Sequence, residues 1–412
     1  MPSIRVTSEI GPLQAVLVHS PGKELEAVTP STREDYLYDD LIGMEVAIKE
    51  HARLTAVLRR FATVYEIADL LVEVLAQQEA RDFLIGRATD VVPGTPFARR
   101  LSAASPEQLV KILIEGTEEV PGPIASALNE TGFALPPLPN LFFPRDIGMV
   151  IGEHAVVGSM RYRIRWTEEL LIKTLFTYHP ALANQGILYD GAEERRDNYT
   201  LEGGDVHLLR HDLLLLGFSE RSSPGALDLL VELAFQKTQV EEVIVVIMPA
   251  NPTAIHLDML FSQIDKELCL VYPPSFLGPE RMPVLHRRRS RPVVREQPDL
   301  FRALEEVGIR MQPVLVGGAR RTSQEREQWA SGCNALALAP GVIVTYARNE
   351  ETLRQLEAAG FAITPSTELP ESGAASGPRP EARCAITVEG GELVRGGGGA
   401  RCMTLPILRG DP

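Results

Sequence analysis

The sequence has few cysteines, and they are widely separated. Its 412 residues contain four, at positions 269, 333, 384 and 402, with no CxxC pair among them. A disulfide scaffold or a zinc ribbon needs more numerous or closely paired cysteines, so both are excluded and a reducing compartment is expected. No run of about 18 apolar residues is present for a membrane span, and the N-terminus lacks the basic start and apolar core of a secretory signal. We therefore expect a cytoplasmic protein with no membrane partner.

Positive charge is also scarce. The chain has 41 Lys and Arg against 55 Asp and Glu, which gives a formal net charge of −14. Nucleic acid and anionic membranes repel such a chain, so neither is expected as its main partner. The one strongly basic stretch, HRRRSRPVVR at residues 286–295, is interpreted as a solvated loop or as a patch paired with acidic neighbours.

The remaining composition is that of an ordinary soluble globular protein with a sizeable core, with 44% hydrophobic and 23% charged residues. The length allows two or three domains, although single α/β barrels and propellers also reach this size. The segment LQAVLVHSP predicts an opening strand, and residues 36–60 have the periodicity of an amphipathic helix. Residues 67–129 have a helical pattern interrupted at VVPGTP, which indicates a helical insertion or subdomain.

A loose internal repeat is the clearest architectural signal. The stretches DIGMVIGEHAVVGSMRYRIR, DVHLLRHDLLLLGFSER and NALALAPGVIVTYAR begin at Asp146, Asp205 and Asn334, and each predicts two short strands around a turn. A helical stretch follows each of them. Recurring hairpin and helix units favour a radial arrangement, with the leading polar residues gathered at one end of the strands. An open sheet built from parallel βαβ units remains an alternative.

Four short motifs place ionisable residues at the edges of apolar segments: LPNLFFPRDIG, LEGGDVHLL, IHLDMLF and GGGGARCM. In IHLDMLF, the alternation of a strand would put His256 and Asp258 on the same face. In GGGGARCM, the glycines allow the backbone to approach a ligand, and Arg401 would favour the ionised form of the Cys402 thiol. The alternatives are a flexible tail beside an ordinary core cysteine, and a structural turn in LEGGDVHLL.

Taken together, the motifs supply the thiol of Cys402, the imidazole of His256 and four carboxylates. So many negative charges around a nucleophile argue against an ordinary cysteine protease, and a cationic substrate resolves the conflict. A guanidinium group is flat and pairs with carboxylates in a bidentate manner, so several carboxylates can hold it while a thiolate attacks its carbon. The residues concerned are Asp146, Glu202, Asp205, His256, Asp258 and Cys402.

The motifs PNLFFPRD, EGGDV, HLD and GGGGARCM, in this order and spacing, resemble those of the arginine deiminases in the guanidino-group-modifying superfamily. The N-terminal VTSEIGPLQAVLVHSPGKELEAVTP and the later YDD and EH are similar as well, so the resemblance covers nearly the whole chain. It implies an α/β fold, namely a five-bladed pseudo-symmetric α/β propeller with a helical insertion. On this basis we expect residues 1–66 and 138–412 to form the propeller and residues 67–137 the insertion.

The resemblance also implies roles for individual residues in the hydrolysis of L-arginine to citrulline and ammonia. Cys402 would be the nucleophile that forms a covalent amidino-thioether, and His256 the general acid and base. Asp146 and Asp258 would grip the guanidinium, and Glu202 would hydrogen-bond the guanidinium or the imidazole. The expected substrate-binding residues, of which the first three recognise the amino-acid end, are Asn140, Arg165 (or Arg163 in its place), Arg221, Asp205 and Gly396.

Three positions depart from the family pattern: Arg401 stands where histidine is frequent, Pro144 where threonine is common, and Gly397 where arginine is often found. They concern substrate preference and pH optimum and leave the nucleophile, base and carboxylates in place. No metal or organic cofactor is expected, and the chain is expected to form a homo-oligomer.

Other functions remain open at this point. Amidino transfer to an amine, hydrolysis on to ornithine, and action on agmatine or a methylated arginine share the same covalent step. A non-catalytic arginine-binding protein belongs to a different class. A metal site at His207, His211 and Asp212 is a further alternative.

Overall fold

The computed structural model describes residues 3–91, 95–118, 122–128, 132–193, 199–250, 253–369 and 382–412. The end of the predicted helical region at residue 129 and part of VVPGTP lie outside these ranges. Within the described part, no helix is both long and apolar enough to cross a membrane.

The strands of the described residues are β1 Leu13–Val18, β2 Thr63–Glu66, β3 Thr117–Glu118, β4 Phe133–Leu135, β5 Gly148–Ile151, β6 His154–Val157, β7 Ile187–Asp190, β8 Val206–Arg210, β9 Leu213–Phe218, β10 Glu242–Ile247, β11 Phe261–Gln263, β12 Leu268–Val271, β13 Val284–Arg288, β14 Arg291–Gln297, β15 Gln312–Leu315, β16 Leu336–Ala339, β17 Val342–Tyr346, β18 Ala362–Pro365, β19 Cys384–Val388 and β20 Leu405–Arg409.

The α-helices of the same residues are α1 Met44–Leu58, α2 Ile67–Leu75, α3 Gln78–Val91, α4 Thr95–Ala103, α5 Pro106–Glu115, α6 Pro123–Ala127, α7 Pro144–Ile147, α8 Trp166–Tyr178, α9 Pro224–Lys237, α10 Pro273–Phe276, α11 Leu300–Glu306, α12 Arg321–Trp329 and α13 Glu350–Ala358.

One pattern of strands and helices recurs in the larger sheets. In the sheet β5-β6-β7, the first two strands form an antiparallel hairpin, α8 follows, and β7 pairs parallel to β6. The strands β8, β9 and β10 with α9 repeat this order, as do β11, β12 and β15 with α11. The hairpin β16-β17, with α13 and the parallel strand β19, is a further copy. The hairpin and helix repeat predicted from the sequence is therefore confirmed, within an α/β fold of mixed sheets.

The two ends of the chain meet in one sheet of the same type. β20 pairs antiparallel with β1, which pairs parallel with β2 after the chain has passed through α1. Apolar strands drive this arrangement, since Val16, Leu17, Leu405 and Ile407 are almost fully buried. Consequently the C-terminal cysteine motif is held by the N-terminal strand of the molecule.

Helices α2 to α6 occupy most of the stretch between β2 and β4. Helix α5 begins with a capping box, in which the Ser105 side chain accepts from the Gln108 backbone N–H, and Pro106 occupies its first position. The buried side chains of α2 and α5 share one hydrophobic core with the strands β5 to β7. The helical pattern predicted over this stretch is thus present, and its packing joins it to the neighbouring sheet.

Two local predictions are corrected, and for the basic stretch the pairing with acidic neighbours is confirmed. The helix expected over residues 36–60 begins only at Met44, and Leu37 before it has a φ of 67°, a left-handed conformation that a helix cannot contain. IHLDMLF is not a strand: Leu257–Met259 is a 3₁₀ turn, and β11 begins at Phe261. The basic stretch at residues 286–295 is the β13-β14 hairpin, and its cations pair with Glu232, Glu241 and Glu242.

Candidate active site

The residues that the motifs supply lie just before the first strand of each unit. Asp205 immediately precedes β8, and Asp146 comes two residues before β5. Asp258 and Cys402 each come three residues before β11 and β20, respectively. All four are buried. The strand ends therefore carry the site, as the repeat in the sequence predicted.

His256 lies among carboxylates. Its Nε2 is 2.8 Å from Oε2 of Glu202, and its Nδ1 is 3.7 Å from Oδ1 of Asp146. Gly204 lets the ring pack closely, because a Cβ at that position would lie 2.5 Å from Cγ of His256. The second glycine of LEGGDV thus serves the packing of the histidine, whereas the first, Gly203, packs against the backbone of Arg145.

Asp205 fixes the segment that carries the histidine. Its Oδ1 accepts from the backbone N–H of Leu257 at 2.9 Å, and its Oδ2 accepts from the hydroxyl of Ser219 at 2.6 Å. These contacts hold the 3₁₀ turn that follows His256. Both oxygens of Asp205 are therefore occupied by the protein itself.

Cys402 is buried beside Asp258 and Asn334. Its Sγ is 3.4 Å from Oδ2 of Asp258 and 3.0 Å from Nδ2 of Asn334. The Asn334 Oδ1 also accepts from the backbone N–H groups of Cys402 at 2.9 Å and Gly399 at 3.1 Å. The glycine run is thus packed at its end, and the flexible-tail alternative is wrong for Gly399 and Cys402.

Arg401 turns away from the sulfur to two carboxylates. Its Nε and Nη2 each donate to Glu9 at 3.1 Å, and its Nη1 donates to Oδ2 of Asp258 at 2.9 Å. Because the group is buried and doubly paired, its charge is largely compensated before it acts on Cys402. Arg401 therefore lowers the pKa of the Cys402 thiol, as the sequence predicted, but it does not outweigh burial and the nearby carboxylates.

The surroundings shift the pKa values of the histidine and the cysteine. Burial alone would lower the pKa of His256, but Asp146, Glu202 and Asp205 outweigh it and raise the pKa to about 9. Burial raises the pKa of the Cys402 thiol well above its usual range; Asp258 and Asp146 add to this, and Arg401 opposes it only in part. His256 is consequently an imidazolium and the Cys402 thiol is neutral at neutral pH.

The carboxylates of the site differ in their pKa values and in their hydrogen-bond partners. Burial would raise the pKa of Glu202, but Arg221 and His256 lower it to about 2, so this group stays ionised. Burial raises the pKa of Asp205 to about 6 against the opposing charge of His256. Oδ2 of Asp146 accepts from Arg165 at 2.6 Å, and Oδ2 of Asp258 accepts from Arg401 at 2.9 Å. The Oδ1 atom of each is buried without a hydrogen-bond partner among the described residues.

Arg165 is enclosed by protein groups. Its three nitrogens donate to Glu168, Asp146 and backbone carbonyls, including that of Asn140 at 3.3 Å. Asn140 in turn donates through Nδ2 to the carbonyl of Tyr36 at 2.8 Å. Arg163, the alternative to Arg165, is exposed and lies over the ring of Trp166. In this conformation, Arg165 therefore holds Asp146.

A cavity of about 310 Å³ opens beside the site. Arg221 and Gly396 contribute to its wall, whereas Asn140 and Arg165 do not. Arg221 stacks on Tyr162, with its Cζ 4.7 Å from the ring centroid, and donates to Glu202 at 3.3 Å. The remaining described wall residues are Glu34, Leu37, Tyr38, Asp39, Tyr162, Glu220, Thr253, Ile255, Met259, Trp329, Val394 and Gly397.

Metal binding was tested against two sets of residues. Ligand atoms of Asp146, Glu202 and His256 lie within 4.8 Å of one another, and this is the one such group among the described residues. The arginines paired with both carboxylates would repel a metal cation there, so the set does not fit a metal well. The other set is not assembled: His207 is buried in β8 and away from the hairpin tip where it was predicted, while His211 is exposed.

The sequence alone did not identify several residues that contact the candidate site residues. Asn334 carried a signal, because it leads the third hairpin in the same way that Asp146 and Asp205 lead the first two. Glu168 and Glu9, which pair with Arg165 and Arg401, had no signal, since nothing in their local sequence points to a buried partner.

The fold is of the type found in guanidino-modifying enzymes. SxtG, an amidinotransferase from Microseira wollei, has a similar structure, with a TM-score of 0.54 and 15% identity over 100% of this chain and 98% of its own. The N-terminal domain of ArgZ, an arginine dihydrolase from cyanobacteria, gives a TM-score of 0.52 at 13% identity over 96% of this chain and 98% of that one. At such identities, the likeness concerns the fold alone.

Sequence comparison narrows the class to one family. The family model described as arginine deiminase matches residues 34–409. An arginine deiminase of Metamycoplasma arthritidis is 32% identical over 99% of this chain and 97% of its own length. An arginine deiminase of Bacillus cytotoxicus is 31% identical over 99% of each chain. The chain belongs to the arginine deiminase family.

Proposed function

We propose that the protein is an arginine deiminase, which hydrolyses free L-arginine to L-citrulline and ammonia through a covalent amidino-cysteine intermediate. The observation that carries this proposal is the pair of buried oxygens, Oδ1 of Asp146 and Oδ1 of Asp258, which have no hydrogen-bond partner among the described residues and belong to carboxylates beside His256 and Cys402. Two such acceptors fit a donor-rich cation, and a guanidinium supplies N–H groups in one plane. Membership of the arginine deiminase family supports the same substrate.

In the first half of the reaction, the sulfur of Cys402 bonds to the guanidinium carbon. The thiol must first give up its proton, and Asp258 Oδ2 is an acceptor within 3.4 Å. The carbon–nitrogen bond to one terminal nitrogen then breaks, and the imidazolium of His256 provides the proton with which ammonia leaves. This leaves an amidino group on the sulfur and a neutral imidazole. The pKa of about 9 suits His256 to act as the acid first.

In the second half, the neutral imidazole takes a proton from water, and the water oxygen bonds to the same carbon. The carbon–sulfur bond then breaks and the sulfur leaves as a thiolate, while the hydroxyl proton on the carbon is lost to the solvent, where ammonia takes it up as ammonium, and citrulline forms. Asp258 returns its proton to the sulfur, which restores the thiol, and His256 remains an imidazolium. Glu202 holds the imidazole through its 2.8 Å contact in both halves. No step needs a metal or an organic cofactor.

The amino-acid end of the substrate is assigned to the cavity. Arg221 and Gly396 lie in its wall, so Arg221 is the proposed partner of the α-carboxylate. Asn140 and Arg165 remain part of the proposed binding set; in the empty site, they hold Tyr36 and Asp146, from which substrate would have to release them. Asp205 supports binding indirectly, because it positions the turn after His256.

We further propose that the five sheets of three or more strands are the blades of a pseudo-symmetric five-bladed propeller. The recurring order of hairpin, helix and parallel strand supports this, as does the position of the site residues before each first strand. Residues 1–66 and 138–412 would form the propeller and residues 67–137 the insertion. A cytoplasmic homo-oligomer completes the proposal.

The test is an assay of ammonia and citrulline from L-arginine on the purified protein. We expect both products in equal amounts, and a loss of turnover of about 10⁴-fold or more in Cys402→Ala. Cys384→Ala is the matched control, since this buried cysteine lies in β19 and contacts Thr364 instead of the site. Its activity should remain.

Other products would identify the competing functions. Ornithine would indicate a dihydrolase, and an amidino product formed only with glycine or another amine would indicate an amidinotransferase. Calorimetric binding of arginine without any ammonia would show a non-catalytic binding protein. Agmatine should be a poor substrate, because it lacks the carboxylate assigned to Arg221.

A further inference from the structure

We propose that Asn334 is a further catalytic residue, whose side-chain amide donates a hydrogen bond to the sulfur of Cys402 when that sulfur is ionised. The inference rests on the proposed function, in which Cys402 is the nucleophile. It adds a residue that touches the reacting atom and that the motif analysis placed only at the head of a hairpin.

The orientation of the Asn334 amide follows from its contacts. Its Oδ1 faces two backbone N–H groups, those of Cys402 at 2.9 Å and Gly399 at 3.1 Å. Those N–H groups can only donate, so the carbonyl oxygen must be the atom that faces them. The NH₂ group must then face the other way, where Sγ of Cys402 lies 3.0 Å from Nδ2. The amide is therefore a donor to the sulfur.

The sulfur needs such a donor because its surroundings disfavour a negative charge. Burial and the neighbouring carboxylates of Asp258 and Asp146 raise the pKa of the thiol. The neighbouring cation Arg401 is paired with Glu9 and Asp258. A fixed neutral dipole at 3.0 Å stabilises a developing charge without adding a full charge that would repel the cationic substrate.

The contact between Asn334 and the glycine run requires glycine at position 399. A Cβ at Gly399 would lie 2.7 Å from the carbonyl oxygen of Asn334, so the loop can approach the asparagine this closely only with glycine there. Asn334 also stands two residues before β16, as Asp146 stands two residues before β5. The unit that begins with β16 thus contributes a polar group to the site from just before its first strand, as the other units do.

The experiment compares Asn334→Asp, Asn334→Ala and the control Asn349→Ala. The aspartate variant keeps an oxygen for the two backbone N–H groups and loses the donor, while the alanine variant removes the amide without adding charge. Asn349 is equally buried, but its Nδ2 donates to the carbonyl of Ala330 at 3.0 Å, away from the sulfur. Thermal melting identifies the variants that remain folded.

The main measurement is the pH dependence of iodoacetamide alkylation of Cys402 in the substrate-free protein, followed by mass spectrometry of the Cys402 peptide. We expect the alkylation rate at a fixed pH to fall about 10- to 100-fold in both Asn334 variants, with the profile displaced to higher pH. Turnover of L-arginine should fall by about 10- to 1,000-fold. Asn349→Ala should keep the wild-type alkylation profile.

A folded Asn334 variant with the wild-type alkylation profile would overturn the inference. Alkylation reports on the sulfur without substrate, so this outcome differs from a failure of the proposed function, in which wild-type protein would alkylate normally and release no citrulline. If Asn334→Asp is unfolded, Asn334→Ala decides the question, because it introduces no buried charge.

Discussion

His256 and Cys402 differ in the groups that surround them. Carboxylates dominate around His256, where Asp146, Glu202 and Asp205 raise the pKa of the imidazole to about 9, so it holds its proton. The sulfur of Cys402 instead contacts one carboxylate, that of Asp258, and the amide of Asn334. Burial and Asp258 keep its thiol neutral. Both groups are thus protonated together at neutral pH.

This difference indicates that the thiol of Cys402 needs a positive charge beside it before it can ionise. One oxygen each of Asp146 and Asp258 is buried without a hydrogen-bond partner among the described residues. On the proposed function, a bound guanidinium would donate to both and bring positive charge next to the sulfur, which favours the thiolate. The substrate would then provide the cation that activates Cys402, and Arg401 could not replace it because Glu9 and Asp258 already compensate its charge.

The strongest test of the histidine side is His256→Ala. Removing the imidazolium takes away the proton for departing ammonia, and we expect a loss in turnover of about 10² to 10⁴-fold, measured as citrulline release. The matched control is His286→Ala. His286 is a buried histidine in β13, outside the candidate site, and its Nε2 is 2.6 Å from Oε2 of Glu242. Wild-type turnover in His256→Ala would remove the histidine from proton transfer.

The sequence predicts the repeated units well because their signals are local. The hairpins β5-β6, β8-β9 and β16-β17 alternate short apolar runs with turns, and neighbouring residues decide that pattern. The segment IHLDMLF fails for the opposite reason. Its 3₁₀ turn is held by Asp205, whose Oδ1 accepts from Leu257 across 52 positions of sequence. Long-range contacts of this kind override a local alternation.

The candidate site divides in the same way. The proposed nucleophile, base and carboxylates stand in short motifs, so the sequence points to them. The residues that pair with them do not lie in these motifs: Glu9 meets Arg401 across 392 positions of sequence. The compensation of the Arg401 charge by Glu9 therefore cannot be predicted from the motifs, since it depends on the closure of the sheet that joins the chain ends.

Arg401→Met tests the cysteine side. It leaves the carboxylates of Glu9 and Asp258 buried without their partner, and we expect a loss of about 3–5 kcal/mol in the free energy of unfolding at neutral pH. Denaturant unfolding measures this loss. Arg409→Met is the control, because Arg409 is equally buried and its Nη1 donates to the carbonyl of Gly11. Equal losses in the two variants would show that the pairing of Arg401 with two carboxylates contributes no more to the free energy of unfolding than the contact of Arg409 with a backbone carbonyl.

The smallest expected effect comes from Asp205→Asn, which sharpens the comparison by removing one of the three charges near His256. The amide oxygen can still accept from Leu257 and the NH₂ can donate to Ser219, so the turn should persist. Since the imidazolium is the proposed acid, turnover in the wild type should fall as pH rises through about 9.

The sign of the Asp205→Asn effect follows from linkage. The folded pKa of His256 lies above the ordinary value of 6.5, so the stability that its proton contributes is full below about pH 6.5 and is lost as pH rises through about 9. Without the Asp205 charge, the alkaline fall in turnover should move to lower pH by less than about one unit. Asp190→Asn, which removes a carboxylate paired with Lys173, should leave it in place. A pH profile of citrulline release that is identical in Asp205→Asn and wild type would mean that Asp205 acts on the histidine through geometry alone.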